Sequence, residues 1–200
     1  MYVIRHGQTV WNRARIIQGQ QQSVLTRDGI AQAEAMGRTL GMHLQQRGLT
    51  AKNMQMISSP LARSYQTASV IAETIDYDPV AIHRDDRLKE IGFGKWETRA
   101  WAEIEKSEEH AVAEWQAERF RTRPPGGENY PDVMARLSYW LDSLQSRDNL
   151  IVVAHGVVNQ ILRGMHAGLP GEEIPGLDFP QDAFYRLTGE GIERIETDFG

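Results

Sequence analysis

The 200-residue sequence contains no cysteine. That absence removes disulfides, thiol nucleophiles and thiolate-ligated metals together. It also lacks any basic surplus, since 22 Lys and Arg against 27 Asp and Glu give a formal net charge of -5. A general nucleic-acid binder would carry a basic face, so no nucleic-acid partner is expected. A small anionic ligand stays open, because two local arginines can override the global sign. No apolar run reaches membrane-spanning length, and no membrane partner is expected. The chain opens directly on a short apolar segment, without a basic region and a long apolar one in front, so the expected compartment is the cytoplasm. Internal repeats, low-complexity tracts and linkers are missing as well. What remains, 40% hydrophobic and 24% charged, is the composition of one domain over residues 1–200, long enough to bury its own core.

The pattern of elements is alternating. Tyr2-Val3-Ile4 reads as a buried strand, residues 13–26 as a loop, and Thr26 as the N-cap of a helix whose inward face is Ile30, Ala33, Gly37, Leu40 and Leu44. Residues 54–59 form a second strand that runs into Pro60, placed at the first position of a helix reaching about Ile75. Val80-Ala81-Ile82 is predicted as a third strand, followed by a loop from Arg84 to Thr98. One helix is predicted over about residues 100–120, with Trp101, Ile104, Val112 and Trp115 inward and an acidic outer face of Glu103, Glu105, Glu108, Glu109, Glu114 and Glu118. The next helix buries Val133, Leu137, Trp140, Leu141 and Leu144. Leu150-Ile151-Val152-Val153-Ala154 is the most continuous apolar run and reads as a central parallel strand. A helix over about 157–166 and a hairpin turned at Gly189-Glu190-Gly191 complete the chain. The fold class is therefore α/β: a mostly parallel sheet with helices on both faces and a helical cap insertion at about 99–130.

Two strands end alike, at Arg5-His6-Gly7 and at His155-Gly156. In a parallel sheet both histidines then leave the same carboxyl edge, where α/β folds bind ligands. Arg5 offers a planar fork of donors, and His6 can be nucleophile, base or ligand. Arg63 lies one turn into a helix that starts at the same edge, where free N–H groups and a positive dipole favour anions. Glu90, flanked by Leu88, Ile91 and Phe93, is a candidate general acid. His43, His83, His110 and His166 have no convergent partners and read as surface or structural. The tryptophans read as core and cap packing, Trp11 being the open case.

Arg5-His6-Gly7-Gln8-Thr9 with Trp11-Asn12 resembles the RHG(E/Q)T-x-WN signature of the histidine phosphatase superfamily, in its phosphoglycerate-mutase-like branch. Gln18-Gly19, Leu25-Thr26 with Gly29, Ser58-Ser59-Pro60-Leu61-Ala62-Arg63, Leu88 with Glu90 and Gly92, Gly127-Glu128 and Ala154-His155-Gly156 follow in the family's order. The resemblance implies a phosphoglycerate-mutase-like three-layer sandwich with His6 as the residue that becomes phosphorylated. It implies Arg5, Arg63 and His155 around the phosphoryl group, with Gly7, Asn12, Gln18, Gly19 and Gly156 contributing to substrate binding. Glu90 would protonate the leaving oxygen and then activate water. No cofactor and no metal are implied, and the expected partner is a small phosphorylated substrate.

Two departures touch the rim rather than that pocket. Gln20-Gln21-Gln22-Ser23-Val24 stands where many relatives carry Asp or Asn before the Leu-Thr. The usual Gly-x-Trp-Glu-Gly appears as Gly94-Lys95-Trp96-Glu97-Thr98, without its last glycine. Glu97 is a second carboxylate near Glu90, and a structural role is expected for it. The Glu-Arg-x-Tyr-Gly stretch of the mutases is replaced by Glu90-Ile91-Gly92-Phe93-Gly94, which favours hydrolysis over mutase-type transfer. A non-catalytic phospho-ligand binder is the remaining alternative, and intact His6, Glu90 and His155 speak against it. A metal held by His6, His155 and Glu90 would sit beside two arginines, a repulsive arrangement. The acidic helix face either disfavours bulky polyanions or simply faces solvent.

Overall fold

The computed structural model describes residues 1–199; Gly200, the last residue of the expected domain, lies outside them. Six strands form one sheet: β1 (Tyr2–Arg5), β2 (Gln55–Ser58), β3 (His83–Arg84), β4 (Leu150–Ala154), β5 (Ala183–Thr188) and β6 (Gly191–Glu196), in the order β3-β2-β4-β1-β5-β6. The first four of that order run parallel, while β5 and β6 are antiparallel. The helices are α1 (Val10–Ala14), α2 (Arg27–Gln46), α3 (Ala62–Thr74), α4 (Trp101–Ser107), α5 (Glu109–Ala117), α6 (Tyr130–Ser143) and α7 (Gly156–Ala167).

The period-2 alternation of strands sorts the core into two layers. Ile4, Met56, Ile151 and Val153 point to one face, where they meet Met36, Leu40 and Leu44 of α2 and Ala68, Ile71 and Ala72 of α3. Val3, Ile57, Val152 and Ala154 point to the other, against Val133, Leu137 and Trp140 of α6 and Val158, Ile161 and Leu162 of α7. The result is a helix–sheet–helix sandwich with β4 buried at every position. Such burial on both faces is why β4 reads as an unbroken apolar run. A third cluster, Trp96, Ile104, Val112 and Trp115, belongs to the segment after Phe93 and packs α4 and α5 together, with Ile17 and Phe93 against them.

Several local expectations shift. The third strand is His83–Arg84, not 80–82. Pro79 instead sets a single tight turn over Pro79–Ala81, capped by Asp78. Pro60 precedes its helix by two residues, because Leu61 takes the extended capping conformation and α3 starts at Ala62. Ile30 points outward, 43% exposed, although its neighbours Ala33, Gly37, Leu40 and Leu44 are buried. The predicted 100–120 helix is two helices broken at Glu108, whose carboxylate turns in to accept from Trp96 Nε1 (2.8 Å) and pairs with Arg99. The short helix α1 falls partly where a loop was expected. Thr9 nucleates it with a capping box to Asn12.

Candidate active site

Parallel pairing of β1 and β4 aligns Arg5 with Ala154, so the next residues, His6 and His155, emerge side by side. Their rings lie 5.3 Å apart, edge to face. The ladder continues past the strands, with His6 N–H donating to Ala154 O (3.0 Å) and Ser59 N–H to Val153 O (3.0 Å). Three strand ends therefore deliver their side chains to one edge.

His6 Nδ1 lies 2.8 Å from the Gly7 carbonyl oxygen. A carbonyl can only accept, so Nδ1 carries the proton and Nε2 is left with the lone pair. Burial, then the Arg63 and Arg5 charges, hold His6 well below the ordinary imidazole value. A neutral ring with its free nitrogen assigned is the form a nucleophile needs.

Arg63, only 1% exposed, is held on all sides. Its Nε donates to His6 Nε2 (3.2 Å), Nη1 to Gln21 O (2.8 Å) and Nη2 to Gly19 O (2.7 Å). Burial pulls it down to about 10, with Glu90 and Glu97 opposing, so it stays charged at neutral pH. The solvated helix face that a lone arginine suggests is not what this helix start presents. Arg5 sits across from it, with Nη1 donating to Phe179 O (2.6 Å), the guanidinium 4.9 Å over the Phe179 ring and a buried Nε that has no partner.

His155 is fully buried, and burial first, then Arg63 and His6, keep it well below the ordinary imidazole value. Its Nε2 is 2.7 Å from Ser59 Oγ, while Nδ1 is buried without a partner. Unpaired buried polar atoms are rare in folded proteins. Glu90 faces the same space. One carboxylate oxygen accepts from Ile91 N–H (3.0 Å) and the other from Val157 N–H (3.4 Å) at the start of α7.

These groups line a cavity of about 220 Å³ with Arg5, His6, Asn12, Gln18, Gly19, Arg63, Glu90 and Gly156 in its wall. Asn12 Oδ1 accepts from Thr9 N–H (3.0 Å), and Gln18 Oε1 from the Thr9 hydroxyl (3.0 Å), so one threonine orients both amides. Gly19 has φ +49, and a Cβ there would meet Glu97 Oε1 at 2.0 Å. Gly7 is the exception among the expected substrate-binding residues. Its N–H donates to Thr67 Oγ1 (3.1 Å), and its Cα faces the Gly29 carbonyl, 2.1 Å from where a Cβ would stand. The structure thus gives Gly7 a close backbone crossing with α2. His155 likewise lies behind the wall rather than in it. Among the described residues no three His, Asp or Glu side chains cluster as a metal would require.

The match to the family's sequence model decides the family that the N-terminal signature suggests. The description "Histidine phosphatase superfamily (branch 1)" fits residues 1–195. The chain belongs to the histidine phosphatase superfamily. A Yersinia pestis (strain Pestoides F) protein named "Probable phosphoglycerate mutase GpmB" is 33% identical over 177 residues, 85% of this chain and 75% of its own. The α-ribazole phosphatase of Shigella flexneri shares the fold, with TM-score 0.78 at 21% identity over 100% of this chain and 96% of its own. A mycobacterial glucosyl-3-phosphoglycerate phosphatase solved with VO3 gives TM-score 0.77 at 27% identity, over 99% and 96%. Similarity thus runs to both phosphatases and a mutase.

Within this member of the superfamily, the residues that arrive from far along the chain could not be read from the sequence. Phe179 caps Arg5, and Gln181 Nε2 donates to the His6 carbonyl (3.0 Å). Arg163, buried on Tyr185, anchors the same segment through Asp178. Arg119, from just beyond α5, completes the cavity wall with Ile16, Ile17, Phe93 and Val157. None of these stands in a local pattern that would announce it. Glu97 is structural as expected, accepting from Gln20 N–H (3.1 Å), Phe93 N–H (2.9 Å) and Gln21 Nε2 (2.9 Å). His83, His110 and His166 are exposed, and His43 pairs with the Tyr2 hydroxyl. The acidic residues of α4 and α5 face solvent apart from Glu108. No helix among the described residues is long and apolar enough to cross a membrane.

Proposed function

We propose that this chain hydrolyses a phosphomonoester without a metal, through a phosphohistidine formed on His6. The observation that carries the reading is the fixed tautomer of His6. Nδ1–H is spent on Gly7 O, and Nε2 opens toward a cavity walled by the guanidiniums of Arg5, Arg63 and Arg119 and the Glu90 carboxyl group.

In the first displacement the Nε2 lone pair attacks phosphorus and the P–O ester bond breaks. The electron pair leaves on the ester oxygen, which takes a proton from Glu90. Arg5 and Arg63 carry the charge that spreads over the equatorial oxygens, which is most of what phosphoryl transfer asks of a protein. His155, behind the wall, packs edge to face on the His6 ring and helps to fix its orientation. In the second displacement water attacks phosphorus, Glu90 takes the water's proton, and the N–P electron pair returns to Nε2. Two easier steps replace one hard one. The substrate is a small phosphorylated molecule that fits this cavity.

The test is hydrolysis of 4-nitrophenyl phosphate in excess chelator, comparing the native protein with His6→Ala. Chelator-resistant activity that the substitution removes supports the reading. Activity that survives His6→Ala, or dies with the chelator, contradicts it. The name of the Yersinia relative favours a second reading, phosphoryl transfer between phosphoglycerates. The same proteins assayed for that transfer in the absence of net phosphate release decide between the two.

A further inference from the structure

One residue grips Arg5 from two directions. The Phe179 carbonyl oxygen accepts from Nη1 (2.6 Å), and the guanidinium carbon lies 4.9 Å from the centre of the same residue's ring. An arginine held at Nη1 and on its face keeps one edge, the parallel N–H bonds of Nε and Nη2, for an anion. That edge is used elsewhere in this molecule, where Arg123 gives Nε and Nη2 to the two oxygens of Asp132 at 2.7 Å each. On Arg5 it has no hydrogen-bond partner among the described residues. It lies beside Gly156 in the cavity wall, where a Cβ would stand 3.6 Å from Nε and 3.4 Å from the ring.

The grip is itself anchored on both sides. Before Phe179, Asp178 is held by buried Arg163 (2.8 Å) and by the Tyr185 hydroxyl (2.5 Å). After it, Gln181 Nε2 donates to the His6 carbonyl oxygen (3.0 Å), and Gln160 of α7 holds the Leu177 carbonyl. Phe179 is 42% exposed and belongs to neither layer of the core. Core packing therefore does not explain an aromatic ring at this position, whereas a guanidinium that must be held flat does.

We infer that Phe179 is a positioning residue for Arg5, its carbonyl and ring turning the Nε–Nη2 edge of the guanidinium toward the transferring phosphoryl group. The inference rests on the hydrolytic reading above.

Inorganic phosphate is the probe, because it has no leaving group and reports the phosphoryl site alone. Calorimetry is expected to show its Kd raised about threefold to thirtyfold in Phe179→Ala and in Phe179→Leu, since leucine keeps the bulk without the π face. Phe179→Tyr, which keeps the ring, is expected to bind within about twofold of the native protein. For 4-nitrophenyl phosphate, kcat/KM should fall in the same variants by the factor seen for phosphate. In an Arg5→Met background Phe179→Leu should change either quantity by less than about twofold, because the ring then has no guanidinium to orient. Unchanged phosphate binding in Phe179→Leu, or the same loss with and without Arg5, overturns the role of Phe179. Phosphate binding that follows this pattern without turnover of any ester supports the positioning of Arg5 and overturns the hydrolytic reading. A native protein that neither binds phosphate nor hydrolyses the aryl ester overturns both.

Discussion

Arg63 Nε lies 3.2 Å from His6 Nε2 and donates into the lone pair that the proposed chemistry sends to phosphorus. The guanidinium therefore guards the nucleophile until phosphoryl oxygens draw it away. It also helps keep the ring neutral, second only to burial. In Arg63→Met, kcat/KM is expected to fall by roughly 10²–10³, the usual loss when one preorganised charge stabiliser is removed. The His6 titration, followed by imidazole NMR, should move up. An unmoved titration would show that the pair is only geometric.

The two buried imidazoles set a pH dependence of stability. Both His6 and His155 lie well below the ordinary value in the folded protein, whereas the unfolded chain titrates near 6.5. Above that pH both states are neutral and stability is full. Below it the unfolded state takes up protons that the folded state refuses, so stability falls as pH falls. The slope approaches two protons, at most about 2.7 kcal/mol per pH unit. Urea denaturation between about pH 7.5 and 5.5, above the carboxylate range, measures it, and His6→Ala with His155→Ala should flatten the curve.

Glu90 and Glu97 are separable by leaving group. A general acid matters most for alkoxide leaving groups and little for 4-nitrophenolate. Glu90→Gln is expected to lower turnover of an alkyl phosphate about 10²–10⁴-fold, and that of 4-nitrophenyl phosphate far less. Glu97 ties the Gly19–Gln21 loop to Phe93, so Glu97→Ala should lower both substrates by a similar factor. Reversed patterns would exchange the two roles.

Thr98 is β-branched and exposed, with φ +69. It occupies the position where the Gly-x-Trp-Glu-Gly pattern has its last glycine. A left-handed conformation costs a non-glycine residue about 1–2 kcal/mol, partly offset by the entropy glycine loses on folding. Thr98→Gly is expected to stabilise the fold by about 1 kcal/mol in chemical denaturation. A destabilised variant would mean that the threonine side chain contributes something its exposure hides.

Much of this site could be read from the sequence because its chemistry sits at strand ends. Arg5-His6-Gly7 and Ala154-His155-Gly156 each join an apolar run to reactive side chains, and parallel pairing does the rest. Arg63 was visible through the helix start after Pro60. Three things were not visible. Glu108 breaks the cap helix through a tertiary bond to Trp96, which no helical period reports. Phe179 and Gln181 reach His6 and Arg5 only because Asp178 anchors their segment to buried Arg163. The resemblance implies a part for Gly7 in substrate binding, and the sequence does not show the close backbone crossing with Gly29 that its missing side chain allows.

The most direct measurement is whether His6 becomes phosphorylated during turnover. Native protein reacting with excess 4-nitrophenyl phosphate would be quenched in alkali, where phosphohistidine survives, and examined by phosphorus NMR and peptide mass spectrometry. The account expects one phosphoryl group on the peptide carrying His6, lost in His6→Ala together with activity. Steady turnover with no phosphoryl group on that peptide, or activity retained in His6→Ala, would contradict it.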